Sequence, residues 1–87
     1  MFLQGQMITG EFDSTMNEFS LQKVKEFDTQ TVLNKNQIDS IYHYLKKHEH
    51  DKDGQIITLN DQVLVRLTHS ELNQLLGDME RVLSMYH

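Results

Sequence analysis

LNKNQI (residues 33–38) and LTHSEL (residues 67–72) are two helix starts of the same design. In each, a residue that favours the N-cap position, Asn34 or Thr68, stands three positions before a glutamine or a glutamate. The cap side chain can accept a hydrogen bond from the third backbone amide of the helix, and the Gln or Glu side chain can accept one from the amide of the cap. Apolar residues on both sides of each box pack the incoming chain onto the first turn. The two stretches therefore predict two helices with defined starts.

The residues after each box keep the spacing of a helix with one apolar face. The first stripe ends at the basic residues 46–48, where cations favour a helix C-terminus. Gly77 interrupts the second helix at a cost of about 1 kcal/mol relative to alanine, unless something packs closely against it. The stripes consist of Ile38, Ile41, Tyr42 and Leu45 in the first helix, and of Leu72, Leu75, Leu76, Met79, Val82, Leu83 and Tyr86 in the second.

Alternating apolar residues between the helices predict a β-hairpin. Residues 57–59 and 63–67 both have this period of two, and Asn60 and Asp61 between them favour a turn.

The N-terminal third of the chain contains further strand patterns. Residues 2–9 predict an edge strand that ends at Gly10, residues 19–23 alternate in the same way, and residues 29–33 predict a short return strand. A helix over residues 14–27 is an open alternative, because the apolar residues there also fit a helical spacing.

These elements predict an α+β fold with the order β-β-(β)-α-β-β-α. We expect a small antiparallel sheet of three to five short strands, with two amphipathic helices packed on one of its faces. Residues 1–87 are expected to form a single domain, because so short a chain can build only one small core.

The composition excludes several classes of protein. The chain has 87 residues, of which 38% are hydrophobic and 24% charged, and it contains no cysteine. The lack of cysteine excludes a disulfide scaffold, a zinc ribbon and a thiol nucleophile. No apolar run approaches the roughly 20 residues of a membrane helix, and the first residues lack the basic region of a signal peptide. We therefore predict a cytoplasmic protein that does not contact a membrane.

The segment after the first helix holds the residues that could bind a metal. Residues 49–60 resemble the calcium loop of the EF-hand family, with Asp51 and Asp53 at its third and fifth positions and Gly54 at the sharp sixth position. The loop departs from the family at its first position, a glutamate, and at its twelfth, where Asn60 replaces the bidentate glutamate. The resemblance implies a calcium site, but these departures favour a polar turn.

A transition metal is the other reading of this region. Imidazole and carboxylate groups suit zinc or nickel, and the loop 48–54 contains two histidines beside two aspartates. Two histidines in one loop supply too few convergent ligands, so we predict neither a metal nor any other cofactor. A metal-binding protein that uses this loop stays an alternative.

The sequence offers little for catalysis. Its serines lack the context of a strained nucleophile elbow, and its four glycines are scattered singly instead of forming a phosphate-binding loop. A domain of 87 residues, built from a sheet and two helices, has little room for a catalytic cleft. We therefore predict that the protein is not an enzyme.

The charge balance favours a protein partner over nucleic acid. The chain carries 13 Asp and Glu against 8 Lys and Arg, a net charge of −5, which argues against direct binding of phosphates. An acidic domain can instead occupy a basic nucleic-acid channel of a partner, with carboxylates in the place of phosphates. Such an acidic mimic, inhibiting a nucleic-acid-handling protein, is an alternative function.

We predict a small acidic protein-interaction domain, regulatory or inhibitory, that binds a partner protein or forms a homodimer. The absence of proline and cysteine, with frequent Gln, Asn and Lys, is compatible with an AT-rich bacterial or phage genome, so a phage or mobile element is the favoured source. The predicted contact residues are exposed or flexible side chains on the two helices: His43, Tyr44 and Lys47 on the first, and Met79, Leu83 and Tyr86 on the second.

Overall fold

Four antiparallel strands precede the first helix in the computed structural model, which describes residues 1–50, 55–59 and 63–87. They form one sheet in chain order, so each strand pairs with the next one along the chain. Their bounds are β1 (Phe2–Gln4), β2 (Ile8–Asp13), β3 (Glu18–Val24) and β4 (Phe27–Asn34).

One expectation and one open alternative for this region are wrong. The single strand predicted over residues 2–9 is two strands joined by a turn. Residues 14–27 contain β3 with its flanking turns and the first residue of β4, which confirms the strand pattern of residues 19–23 and excludes the helical alternative. Gly10 does not end a strand but lies inside β2, at a register shift opposite β3. A Cβ there would meet the carbonyl oxygen of Ser20 and lie 2.6 Å from Cζ of Phe19. Glycine at this position thus allows a close approach of β3. A glycine inside a strand and a glycine in a turn look the same in the sequence.

The elements that follow agree with the predicted order. They are α1 (Lys35–Lys47), the hairpin of β5 (Gln55–Leu59) and β6 (Val63–Leu67), and α2 (His69–Leu83). The turn predicted at Asn60 and Asp61 lies outside the described residues. The observed architecture is α+β, as predicted.

Both predicted capping boxes are confirmed. The Asn34 side chain accepts from the amide of Gln37 and the Gln37 side chain accepts from the amide of Asn34, both at 2.8 Å. At the second box Thr68 and Glu71 make the same pair of bonds, at 3.2 and 2.9 Å. These reciprocal bonds satisfy amides that have no partner within the helix.

A turn of the sheet is fixed to the start of α2. Lys25, in the turn between β3 and β4, has a φ of 56°. Its ammonium lies 2.9 Å from the Glu71 carboxylate and donates to the carbonyl of Arg66 at 3.0 Å. The bond from the Thr68 amide, together with Lys25, holds the pKa of the Glu71 carboxyl below its usual value.

The core lies between one face of the sheet and the helices. Buried residues alternate with exposed or half-buried ones along β2 and β3. The buried residues of the sheet form one cluster with the apolar stripes of α1 and α2 and with buried residues of β6. The helices therefore cover a single face of the sheet. The most enclosed side chains are Phe19, Leu3, Ile38, Leu45, Leu67, Leu72, Val24, Val65 and Val82.

The structure gives Gly77 no close neighbour. It lies exposed within α2, and no atom would come within 4 Å of an added Cβ. Gly77→Ala is therefore expected to raise the free energy of unfolding by about 0.5–1 kcal/mol, because alanine loses less backbone entropy in a helix. Urea denaturation followed by circular dichroism measures the change, and a loss of stability would contradict this account of the helix.

Candidate functional site

The predicted contact residues on α1 lie on its solvent face. His43, Tyr44 and Lys47 are exposed, and half of the Tyr44 surface remains accessible at 50%. The ring of Tyr44 lies 4.6 Å from the ring of His48 one turn later, and Nδ1 of His43 lies 2.8 Å from the carbonyl oxygen of Asp39. This helix therefore presents an aromatic and basic surface to solvent.

The predicted contact residues on α2 lie elsewhere. Met79 and Tyr86 are only 4% and 8% exposed, and Leu83 is half-buried against the same core. Met79 and Tyr86 already pack within the chain, so the structure does not bring them together with the α1 residues in one surface patch. A buried stripe and a binding stripe have the same helical spacing, which is why the sequence could not separate them.

Tyr86 is held inside the fold by both its ring and its hydroxyl. The ring packs edge-on against Phe12, with 4.9 Å between the ring centroids and 73° between the planes. The hydroxyl donates to the carbonyl oxygen of Leu33 at 2.7 Å. Burial raises the pKa of this hydroxyl to about 12. Tyr86 thus joins the residues after α2 to the sheet.

Asp78 is a buried carboxylate that the sequence analysis did not identify. It is 3% exposed on α2 and accepts hydrogen bonds from three successive amides, two in the turn between β1 and β2 and one at the first residue of β2. The distances are 3.2 Å to Gln6, 2.6 Å to Met7 and 3.2 Å to Ile8. A Cβ on Gly5 would lie 2.5–2.6 Å from this carboxylate, so the turn needs glycine there. The contact explains the turn that the sequence did not predict, and it serves the fold.

The outer face of the four-stranded sheet, the face opposite the core, is a second candidate surface. None of the described helices or strands lies on it. One row of directly opposed residues crosses all four strands on this face: Phe2, Glu11, Ser20 and Val32. Phe2 is 58% exposed and Val32 53%, so a large apolar side chain stands at each end of the row.

Acidic residues occupy the rows on both sides. Asp13 is opposed by Glu18 in one neighbouring row, and Asp28 is opposed by Lys23 in a row nearer the other end of the strands. With Glu11 in the middle row, four carboxylates stand against one lysine in these rows. The outer face therefore combines two exposed apolar side chains with a negative charge, which suits a basic partner.

The loop considered for metal binding lies largely outside the described residues. Residues 51–54 are not described, so the EF-hand resemblance and the two-histidine alternative stay as predictions. In the parts of the chain that are described, no cluster of three or more His, Asp or Glu side chains is placed to hold a metal ion. His48 ends α1 as its C-cap.

No relative identifies the protein. Comparisons of the chain with protein-family models, with curated proteins and with solved structures found no match. Among the described residues, neither helix has the length and apolar character needed to cross a membrane.

Proposed function

We propose that this protein is a non-enzymatic interaction module that binds a basic surface of a partner protein through the outer face of its sheet. The observation that carries the proposal is the row from Phe2 through Glu11 and Ser20 to Val32. Two half-exposed apolar side chains with a carboxylate between them can supply both anchoring contact and charge complementarity.

The proposed consequence of binding is inhibition or regulation of the partner. A basic surface on a protein commonly serves to bind an anion, and an acidic domain seated on it blocks access. We place this activity in the cytoplasm, on the support of a composition without cysteine, and we favour a phage or mobile element as the source.

A second candidate function is mimicry of nucleic acid. The specific observation in its favour is that carboxylates occur in several rows of one face, at Glu11, at Asp13 with Glu18, and at Asp28. A mimic would compete with DNA or RNA for the partner, and duplex DNA or RNA would displace it. A partner whose binding is unaffected by nucleic acid would favour the first proposal over mimicry.

The solvent face of α1 competes with the outer face as the contact surface. Glu11→Lys and Asp39→Lys make the same change of charge, one in the middle of the outer face and one on α1 beside His43. We expect Glu11→Lys to weaken binding of the captured partner about tenfold or more, which corresponds to about 1.4 kcal/mol, whereas Asp39→Lys should leave binding unchanged. Affinity capture followed by titration at two salt concentrations measures both variants.

The two variants separate the proposals. Loss of binding with Asp39→Lys alone would assign the contact to α1, with His43, Tyr44 and Lys47 as its residues, and would overturn the assignment to the sheet. If wild type and both variants bind the partner equally well, neither the outer face nor α1 is the contact surface. Circular dichroism of each variant ensures that a loss of binding does not reflect unfolding.

A further inference from the structure

β4 forms an edge of the sheet in the part of the chain that the structure describes. It pairs with β3 along one side, and no described strand pairs with its other side. At eight residues it is the longest of the described strands, whereas β1 at the opposite edge has three. Alternate N–H and C=O groups of β4 therefore point away from the sheet and can accept a further strand.

The sequence of β4 lacks the devices that prevent edge pairing. FDTQTVLN contains no proline and no lysine, and its single charge is Asp28. Charged side chains and prolines are the usual means by which edge strands avoid other chains. Val32 and Phe27 add exposed apolar surface, at 53% and 40%.

We propose that β4 pairs antiparallel with β4 of a second copy of this chain, about a two-fold axis that passes through Thr31. The pairing uses the edge of the sheet, so it goes beyond the proposed binding of a basic partner to the outer face. Directly opposed residues in an antiparallel pair lie on the same face of the sheet. An axis at Thr31 satisfies this rule, since Gln30 opposes Val32 on the outer face and Thr29 opposes Leu33 on the inner face.

Hydrogen-bond complementarity between Asp28 and Asn34 supports this register and a second copy as the occupant. Each Asp28 is opposed by Asn34 of the other copy, with Lys35 as the next residue, and no two like charges are directly opposed along the strand. The side-chain oxygen of Asn34 caps α1. In the proposed dimer its NH₂ group is the donor to Asp28 of the other copy. By the two-fold symmetry each such contact occurs twice.

The resulting dimer has one continuous sheet of eight strands. Because opposed residues share a face, the two outer faces lie on the same side of this sheet, and the two Val32 side chains flank the axis. The pairing thus places two acidic faces side by side, and a basic partner would meet a surface of twice the extent.

Charge variants on β4 test the dimer. The wild-type chain should sediment at twice 10.3 kDa. The double variants Gln30→Lys with Val32→Lys and Gln30→Glu with Val32→Glu should each sediment as monomers, because like charges then oppose across the axis. A one-to-one mixture should restore the dimer. Wild type that remains a 10.3 kDa monomer at about 1 mM, or double variants that each stay dimeric, would overturn the proposal.

Single cysteines test the register in a chain that has none of its own. Thr31→Cys should form an intermolecular disulfide under mild oxidation, because residues opposed across the axis lie within the Cα separation that a disulfide spans. Gln30→Cys should crosslink far less, since its copies would be diagonal neighbours. Crosslinking of Gln30→Cys in preference to Thr31→Cys would overturn the register.

One variant tests the proposed function independently of the proposed dimer. Glu11→Lys changes the outer face away from β4, so it should leave the dimer intact while it weakens binding of the basic partner. Loss of dimerisation with Glu11→Lys would contradict the assignment of the two contacts to different surfaces.

Discussion

Asp78→Ala is expected to lower the free energy of unfolding by about 3–4 kcal/mol. The substitution removes one acceptor group from the amides of Gln6, Met7 and Ile8, and each unsatisfied buried donor costs about 1–3 kcal/mol. Water can reach part of the opened turn, so the total should fall below three full penalties. Urea denaturation followed by circular dichroism measures the effect.

Glu80→Ala is the matched control for this prediction. It removes the same charge from the same helix, but Glu80 is exposed and its bond to the Tyr42 hydroxyl, at 3.0 Å, lies at the surface. We expect a loss of at most about 1 kcal/mol. An Asp78→Ala variant no less stable than this control would show that the carboxylate does not hold the turn.

Tyr86→Ala is expected to cost about 3–4 kcal/mol, because it removes a buried ring that packs on Phe12. Tyr86→Phe keeps the ring and should cost only about 1 kcal/mol, the net contribution of the hydroxyl bond to Leu33. The difference between the two variants, measured by urea denaturation, separates packing from hydrogen bonding. Equal stability of wild type and Tyr86→Ala would mean that this ring contributes no packing to the core.

The pH dependence of stability provides an independent test of the burial of the Tyr86 hydroxyl. Its pKa is raised to about 12 in the folded chain, against about 10 for tyrosine when unfolded, so the neutral hydroxyl favours folding. This contribution is fully present below pH 10 and is lost as the pH rises toward 12, by about 2–3 kcal/mol in total. Wild type should therefore lose more stability than Tyr86→Phe between pH 9.5 and about 11.5. Parallel losses would contradict the burial of the hydroxyl.

The parts of the fold that local chemistry determines were predictable from the sequence. Asn34 with Gln37 and Thr68 with Glu71 make their bonds within one helical turn, so neighbouring residues suffice to identify them. The alternation in β3 was also visible, although a helix over the same residues could not be excluded from spacing alone.

The turn between β1 and β2 was not predictable in this way. Its amides are satisfied by Asp78, about 70 positions away, and no neighbouring residue indicates that partner. A signal was nevertheless present, since Asp78 lies three positions after Leu75 and four before Val82, in phase with the apolar stripe of α2. A charged residue at such a position is expected to be buried and therefore to have a specific partner.

The candidate surfaces also differ in whether neighbouring residues in the sequence are enough to predict them. The exposed face of α1 follows from the period of its sequence, and His43 and Tyr44 lie on it as expected. The row that joins Phe2 to Val32 depends on the registers of three strand pairs, including two irregularities. A sequence without its strand registers therefore could not indicate the outer face as a site.

The contact of Asp78 also bears on how fast the chain folds. It joins residues 70–72 positions apart, so nearly the whole chain must be closed into a loop before the carboxylate meets its amides. Closing so long a loop has a large entropic cost, and contacts of this range slow folding. We therefore expect the contact to form after the folding transition state, so that Asp78→Ala accelerates unfolding and leaves the folding rate nearly unchanged.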